Sequence, residues 1–205
     1  MLLTTPSAAT NLPPRHMRSL SGPLTILSAL AVVAATGACS NPNALPPVQF
    51  VNVVDTTTLY ALTGTPIGEP SGYDGVGAMP VRTDLNAPFD FAIDVDSANQ
   101  LVLYPSGTLG LTNNPGILLS TTEFTALQSA PLDGYVQDST VVVEPGDVFV
   151  LKTRLSNTLC LAGALPRYGK FHVLAVDPQA RSATFELLMD LNCGYRGLQP
   201  GTPES

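Results

Sequence analysis

Few side chains in this chain have the types and spacing that chemistry could use: three cysteines, two histidines and a short run of aspartates. Cys39 ends a leader, described below, which leaves Cys160 and Cys193. In an exported protein two such cysteines read first as a disulfide, because that compartment is oxidising. The alternative, a metal or redox pair, lacks both CxxC spacing and histidine partners. His16 falls in the leader, so His172 is the one histidine of the body. Two readings of it stand: a solvent-facing cross-strand partner of Glu186, or a general base or metal ligand oriented by Glu186. Asp94, Asp96 and Asn99 (DVDSAN) begin like a calcium loop, but the glycine and the distant bidentate glutamate of an EF-hand are missing. Asp90, Asp94 and Asp96 on one wet strand face, joined by Asp84, form a candidate weak Ca²⁺ site. The alternative there is a solvated face and an Asp-rich turn.

Other chemistries lack their parts. There is no GxSxG nucleophile elbow, phosphate loop, dinucleotide fingerprint or zinc-protease motif. Tryptophan is absent and aromatic content is 6%, which leaves paired carboxylates without the platforms that sugar hydrolysis needs. Catalysis is therefore not expected. The formal net charge is −7, and removing Arg15 and Arg18 with the leader takes it to −9. Such a balance argues against nucleic acid as a partner and against electrostatic docking on an anionic membrane.

Arg15 and Arg18 precede Leu24–Ala35 (LTILSALAVVAA), an apolar run too short to span a bilayer, and Thr36-Gly37-Ala38 lead into Cys39. This is the layout of an export signal, with Met17 as an alternative start to Met1. TGAC resembles the lipobox of bacterial lipoproteins, with Thr36 where leucine is commonest. The resemblance implies that Cys39 becomes the lipidated first residue and anchors the protein to a membrane; each buried methylene contributes about 0.8 kcal/mol. Ser40 after the cysteine implies the outer membrane of the bacterial envelope. Residues 1–38 are thus expected as export signal, 39–47 as a Pro-rich tether, 48–196 as one β-domain and 197–205 as a flexible tail.

A mature part of roughly 160–170 residues can bury one sizeable core. Apolar content of 44% against 12% charged indicates a globular chain, and 19 Pro and 17 Gly punctuate short apolar runs. Strands are expected at Val48–Val54, Thr57–Leu62, Met79–Thr83, Phe89–Asp96 and Leu101–Tyr104, the last two as a hairpin. Thr140–Val143 and Val148–Thr153 flank Glu144-Pro-Gly-Asp147 and read as another hairpin of central strands. Ser120-Thr-Thr-Glu123 has capping-box spacing, which predicts one short helix over about Thr121–Gln128. The stretch Arg167–Cys193 is a closing hairpin with its turn at Asp177–Arg181. Its register sets Val176 opposite Ser182 beside the turn, then pairs Ala175 with Ala183, Val173 with Phe185 and Phe171 with Leu187 on an apolar inner face. Leu174–Thr184, His172–Glu186 and Lys170–Leu188 then share an outer face, with Met189 pointing inward. The fold class is all-β, a sandwich or flattened barrel of about nine or ten mostly antiparallel strands. Ligands are expected in the loops Gly64–Gly77 and Leu155–Pro166.

The segments FDFAIDV (Phe89–Val95), EFTALQSAPLDGYVQD (Glu123–Asp138), GDVFVLKT (Gly146–Thr153) and YGKFHVLAVD (Tyr168–Asp177) follow an order that resembles the HmuY-like haem-binding β-lipoproteins. The resemblance implies an exported, lipid-anchored all-β fold and a haem held by axial His pairs or His with Met. The residues available for that are His172, Met79 and Met189, and the register puts Met189 and His172 on opposite faces. The tail NCGYRGLQPGTP (Asn192–Pro203) resembles those of uncharacterised bacterial lipoproteins. Together these readings point to a lipid-anchored, non-enzymatic binding or structural module of the envelope. The alternatives are a haem or small-ligand carrier and an enzyme of unrecognised type. The partners expected are the membrane and an envelope protein or small ligand.

Overall fold

Short runs of alternating apolar and polar residues, cut by Gly, Pro, Asn and Asp, favour strands joined by turns. The computed structural model describes residues 45–203 apart from 86, 112–113, 158–159 and 161–162. The leader, Cys39 and the tether up to residue 44 lie outside the described residues. Within them the strands are β1 Val54–Tyr60, β2 Gly72–Asp74, β3 Met79–Val81, β4 Phe91–Val95, β5 Leu101–Pro105, β6 Gly116–Ser120, β7 Val141–Val143, β8 Val148–Lys152, β9 Tyr168–Asp177 and β10 Ser182–Asp190. They form two antiparallel sheets, ordered β1-β10-β9-β8-β6 and β3-β2-β4-β5-β7. The long β9–β10 hairpin lies at the middle of the first sheet, with β1 on one side and β8 on the other.

The sheets face each other across one apolar cluster, which makes the fold a sandwich rather than a closed barrel. The first sheet contributes Leu59, Ile117, Phe149, Leu151, Phe171, Val173, Phe185, Leu187 and Met189; the second contributes Tyr73, Phe91, Ile93, Leu101, Leu103, Val141 and Val143. Phe91 reaches across and meets Phe149, Phe171 and Phe185 edge-on at 5.7, 5.4 and 6.5 Å between ring centres. Phe149 and Phe171 stack at 5.0 Å. Each such pair contributes roughly 0.5–1.5 kcal/mol beyond the area it buries.

The hairpin register holds from Phe185↔Val173 through Glu186↔His172 and Leu187↔Phe171 to Leu188↔Lys170. Toward the tip it shifts by one, to Thr184↔Ala175, Ala183↔Val176 and Ser182↔Asp177, because a bulge leaves Leu174 without a partner. The expected tip pairs are corrected accordingly.

Five further expectations are corrected. Val48–Val54 and Thr57–Leu62 are not two strands; β1 is one, and Gln49 and Phe50 are held by a side chain instead. Asn192 Oδ1 accepts the N–H groups of Gln49 (2.7 Å) and Phe50 (3.0 Å), and its Nδ2 donates to the Phe50 carbonyl. Val141–Val143 and Val148–Lys152 are not a hairpin. The turn between them is a corner, at which Gly146 N–H donates to Val173 O and Val173 N–H to Asp147 O. β7 therefore joins β5 as an edge strand of one sheet, while β8 joins β9 and β6 in the other. The loop Gly64–Gly77 contains β2.

No helix forms over Thr121–Gln128. The Ser120 hydroxyl does accept the Thr122 N–H (3.0 Å), and Ala126 and Leu127 N–H both donate to Glu123 O, closing a single turn. It ends there because Lys170 Nζ takes the Phe124 and Leu127 carbonyls (2.6 and 3.1 Å), and Gln128 O accepts the Leu198 N–H. Of these, the Phe124 carbonyl is the one a helix to Gln128 would have used; the other two lie in its last turn, where no following N–H reaches them.

That turn belongs to a second apolar layer on the outer face of the first sheet. Phe124, Leu127, Ala130 and Leu198 cover Val148, Val150, Tyr168 and Leu188. Residues 197–203 are consequently not a free tail: Leu198 is fully buried, Ala130 N–H donates to Arg196 O, and Asn52 and Gly201 exchange backbone hydrogen bonds. The end of the tether is also held, the Tyr195 hydroxyl donating to Pro46 O at 2.8 Å.

Candidate functional site

The Cys160–Cys193 disulfide is formed, with Cα atoms 5.6 Å apart, and ties the 154–167 loop to the segment just after β10. An Arg167 guanidinium nitrogen lies 4.0 Å from the Cys193 sulfur, and Arg167 also donates to the Val76 carbonyl.

The aspartates do not share one wet face, and the expectation for Asp90 is corrected. Asp90 has no solvent exposure. It accepts from Arg154 N–H (2.7 Å), Arg154 Nη1 (2.8 Å) and Gly75 N–H (2.7 Å). Arg154 Nη2 holds Asp74 at 2.8 Å, so one guanidinium clasps the second sheet to the end of β8. Burial pushes the Asp90 carboxyl up from its ordinary value, and the Arg154 charge and the N–H donors oppose that. Gly75 has to be glycine for this contact, because a Cβ there would lie 2.7–2.8 Å from the Thr153 and Leu151 side chains. Asp94 pairs with Arg181 (2.8 Å) and accepts from Thr63. Asp96 accepts the N–H groups of Ala98 and Gln100 in the β4–β5 turn, and Asp84 pairs with Arg82 (2.7 Å). Among the described residues no three His, Cys, Asp or Glu side chains converge as a metal-binding group.

His172 and Glu186 are cross-strand neighbours, 3.4 Å apart and partly exposed. The imidazole also stacks on Phe124, ring centres 6.1 Å apart. The outer face they share is not simply polar, since Lys170 beside them is buried. Burial pulls the Lys170 ammonium down from its ordinary value, and the Glu186 charge opposes it. Met189 lies in the inner cluster, beside the space that Gly169 leaves open, while Met79 is half-exposed on β3 in the other sheet.

At the end where the chain enters and leaves the domain, a second polar network joins both termini. Asp190 Oδ1 accepts from Asn192 N–H (2.9 Å) and Asn192 Nδ2 (2.8 Å). Asn52, in contact with Asp190, donates through Nδ2 to Gly197 O and Gln199 O. Asp190 Oδ2 and Asn52 Oδ1 are buried and accept no hydrogen bond among the described residues. Burial raises the Asp190 carboxyl, against the opposing Asn192 and Asn52 contacts and the Arg167 charge.

Beside this network is a recess of about 550 Å³, within the size range of small-ligand sites. Leu45, Gln128, Ser129, Arg196, Gln199 and Thr202 line it. Sequence reasoning looked for a site in 64–77 and 155–166 and missed this one. Its walls come from the tether, the 124–130 turn and the tail, which only long-range hydrogen bonds bring together. The one local signal was an arginine in a Gly- and Pro-rich terminus. Compared with known protein families, curated proteins and solved structures, the chain matches none of them.

Proposed function

We propose that this chain is an exported, lipid-anchored protein of the bacterial cell envelope, held at the outer membrane through Cys39, whose β-domain binds rather than catalyses. The observation that carries this reading is the Cys160–Cys193 disulfide. It fits an oxidising compartment and accounts for two of three cysteines. Cys39, at the end of an export-type leader, is then the odd one, which needs a role of its own. Binding is favoured over catalysis by how the titratable side chains are used. Asp74, Asp84, Asp90 and Asp94 are each engaged by an arginine, and His172 by Glu186 and Phe124. The recess beside Arg196 is the ligand site of this reading, open to a small molecule or a segment of an envelope protein.

Radiolabelled palmitate and cell fractionation test it. The wild-type chain is expected to carry label and to partition with the outer membrane, and Cys39→Ser to lose both properties. A wild-type protein that is unlabelled and recovered in the soluble fraction contradicts the proposal.

A further inference from the structure

The recess at the entry pole has a charge character of its own, and we propose that it takes the phosphate-bearing headgroup of a membrane lipid, an inference that rests on the lipid-anchor reading above. Arg82, Arg154 and Arg181 each pair with a carboxylate. Arg196 does not. Its Nη1 donates to Ala130 O at 3.0 Å, and no other hydrogen bond or ion pair of its guanidinium occurs among the described residues. A guanidinium has five N–H donors, so most of its capacity is uncommitted to protein.

The remaining polar walls, Gln128, Ser129, Gln199 and Thr202, are neutral, and no Asp or Glu lines the recess. In a chain of formal net charge −7, that makes it a local site for an anion. A forked guanidinium ringed by amides and hydroxyls suits a tetrahedral oxyanion, which it can meet through two parallel N–H donors. The volume is that of a headgroup rather than of a bare ion.

Position identifies the source. Leu45 lines the recess, and Cys39 stands six residues before it. Six residues span at most about 22 Å, so an acyl anchor on Cys39 keeps the recess within reach of the lipid headgroups. Val51 and Val53 are 62% and 68% exposed. They flank Asn52, whose side chain bonds the carbonyls of Gly197 and Gln199 in the wall. Exposed aliphatic side chains on these segments suit contact with a lipid surface. The negative charge of the whole protein disfavours broad docking on anionic lipid, which leaves recognition of a single headgroup as the mode of contact.

The test uses the full chain purified from membranes of a lipidating host, in neutral detergent. It is titrated with dihexanoyl phosphatidylglycerol below its micelle concentration and, separately, with inorganic phosphate, and the melting temperature is read. A saturable rise is expected with the lipid and not with phosphate at the same concentrations. The midpoint should move at least tenfold higher in Arg196→Gln. It should do the same in Gln199→Glu, which places a carboxylate on an exposed wall residue without touching the core, while Arg82→Gln behaves as wild type. No saturable shift, or a shift unchanged in both recess variants, overturns the proposal; an equal response to phosphate overturns the lipid source. Palmitate labelling of the same preparation separates the two readings. Acylated protein with no headgroup response removes this inference alone, and unacylated protein removes the anchor reading beneath it.

Discussion

The two faces of the β9–β10 hairpin are built by different means. The inner face buries Phe171, Val173, Phe185 and Leu187 against the second sheet, and its stability comes from aromatic packing that needs no polar partner. The outer face buries Leu188 and Tyr168 together with the Lys170 ammonium, under a turn and a terminal segment that carry little regular structure. A packed sheet covers one; an irregular strap, apolar toward the sheet and held in place by particular hydrogen bonds, covers the other. The lesson is that the same strand pair can be insensitive to polar chemistry on one side and governed by it on the other.

The largest effect is expected on the inner face. Phe171→Ala removes a ring that touches Tyr73, Phe91, Phe149 and Phe185, and should cost about 3–5 kcal/mol in denaturant unfolding. Loss of under 1 kcal/mol would mean that the inner cluster is not the stabilising layer. Lys170→Met keeps the aliphatic stem but orphans the Phe124 and Leu127 carbonyls, for an expected loss of roughly 1–3 kcal/mol. Hydrogen exchange should then speed up at Ala126, Leu127 and Ala130 while the Phe171 and Val173 amides stay protected. Equal acceleration on both sides would break the distinction between the faces.

A smaller change of opposite sign is expected at Asp190. Its carboxyl is raised by burial, so the folded state binds the proton more tightly than the unfolded one. Stability on this account is fully present below the ordinary carboxyl range and falls as pH rises from that range through the raised value. Asp190→Asn cannot ionise and can offer an N–H to the unpartnered Asn52 Oδ1. It should gain about 1 kcal/mol at pH 7 and flatten that part of the pH profile. A loss of stability at pH 7 with an unchanged profile would contradict the assignment. The smallest effect belongs to His172→Ala, which removes a partly exposed pair with Glu186 and should cost under about 1 kcal/mol. A larger loss would give the pair a weight its exposure does not support.

The same contrast explains what was legible in the sequence. Period-two apolar matching fixed the inner register from Val173–Phe185 to Phe171–Leu187, because only one alignment puts those residues on one face. The bulge at Leu174 was invisible, since Ala175 and Val176 are apolar in either phase. Asp90 alternated like a solvent-facing residue, yet its partner Arg154 lies 64 positions away. Lys170 looked like an exposed charge for a similar reason: the carbonyls that satisfy it belong to a turn 43–46 residues earlier. The capping box at Ser120 encoded the first turn of a helix but not the lysine that ends it. The recess escaped notice because three distant segments form it, and no periodicity records their meeting.

The claim on which the account depends is that one cysteine carries the anchor and the other two bond to each other. Intact-mass analysis of the protein extracted from envelope membranes tests both parts at once. The expected mass is that of a chain beginning at Cys39, with an acylated glyceryl group added and two hydrogens missing for the Cys160–Cys193 bond. An unmodified Cys39, or Cys160 and Cys193 that alkylate without prior reduction, would contradict it.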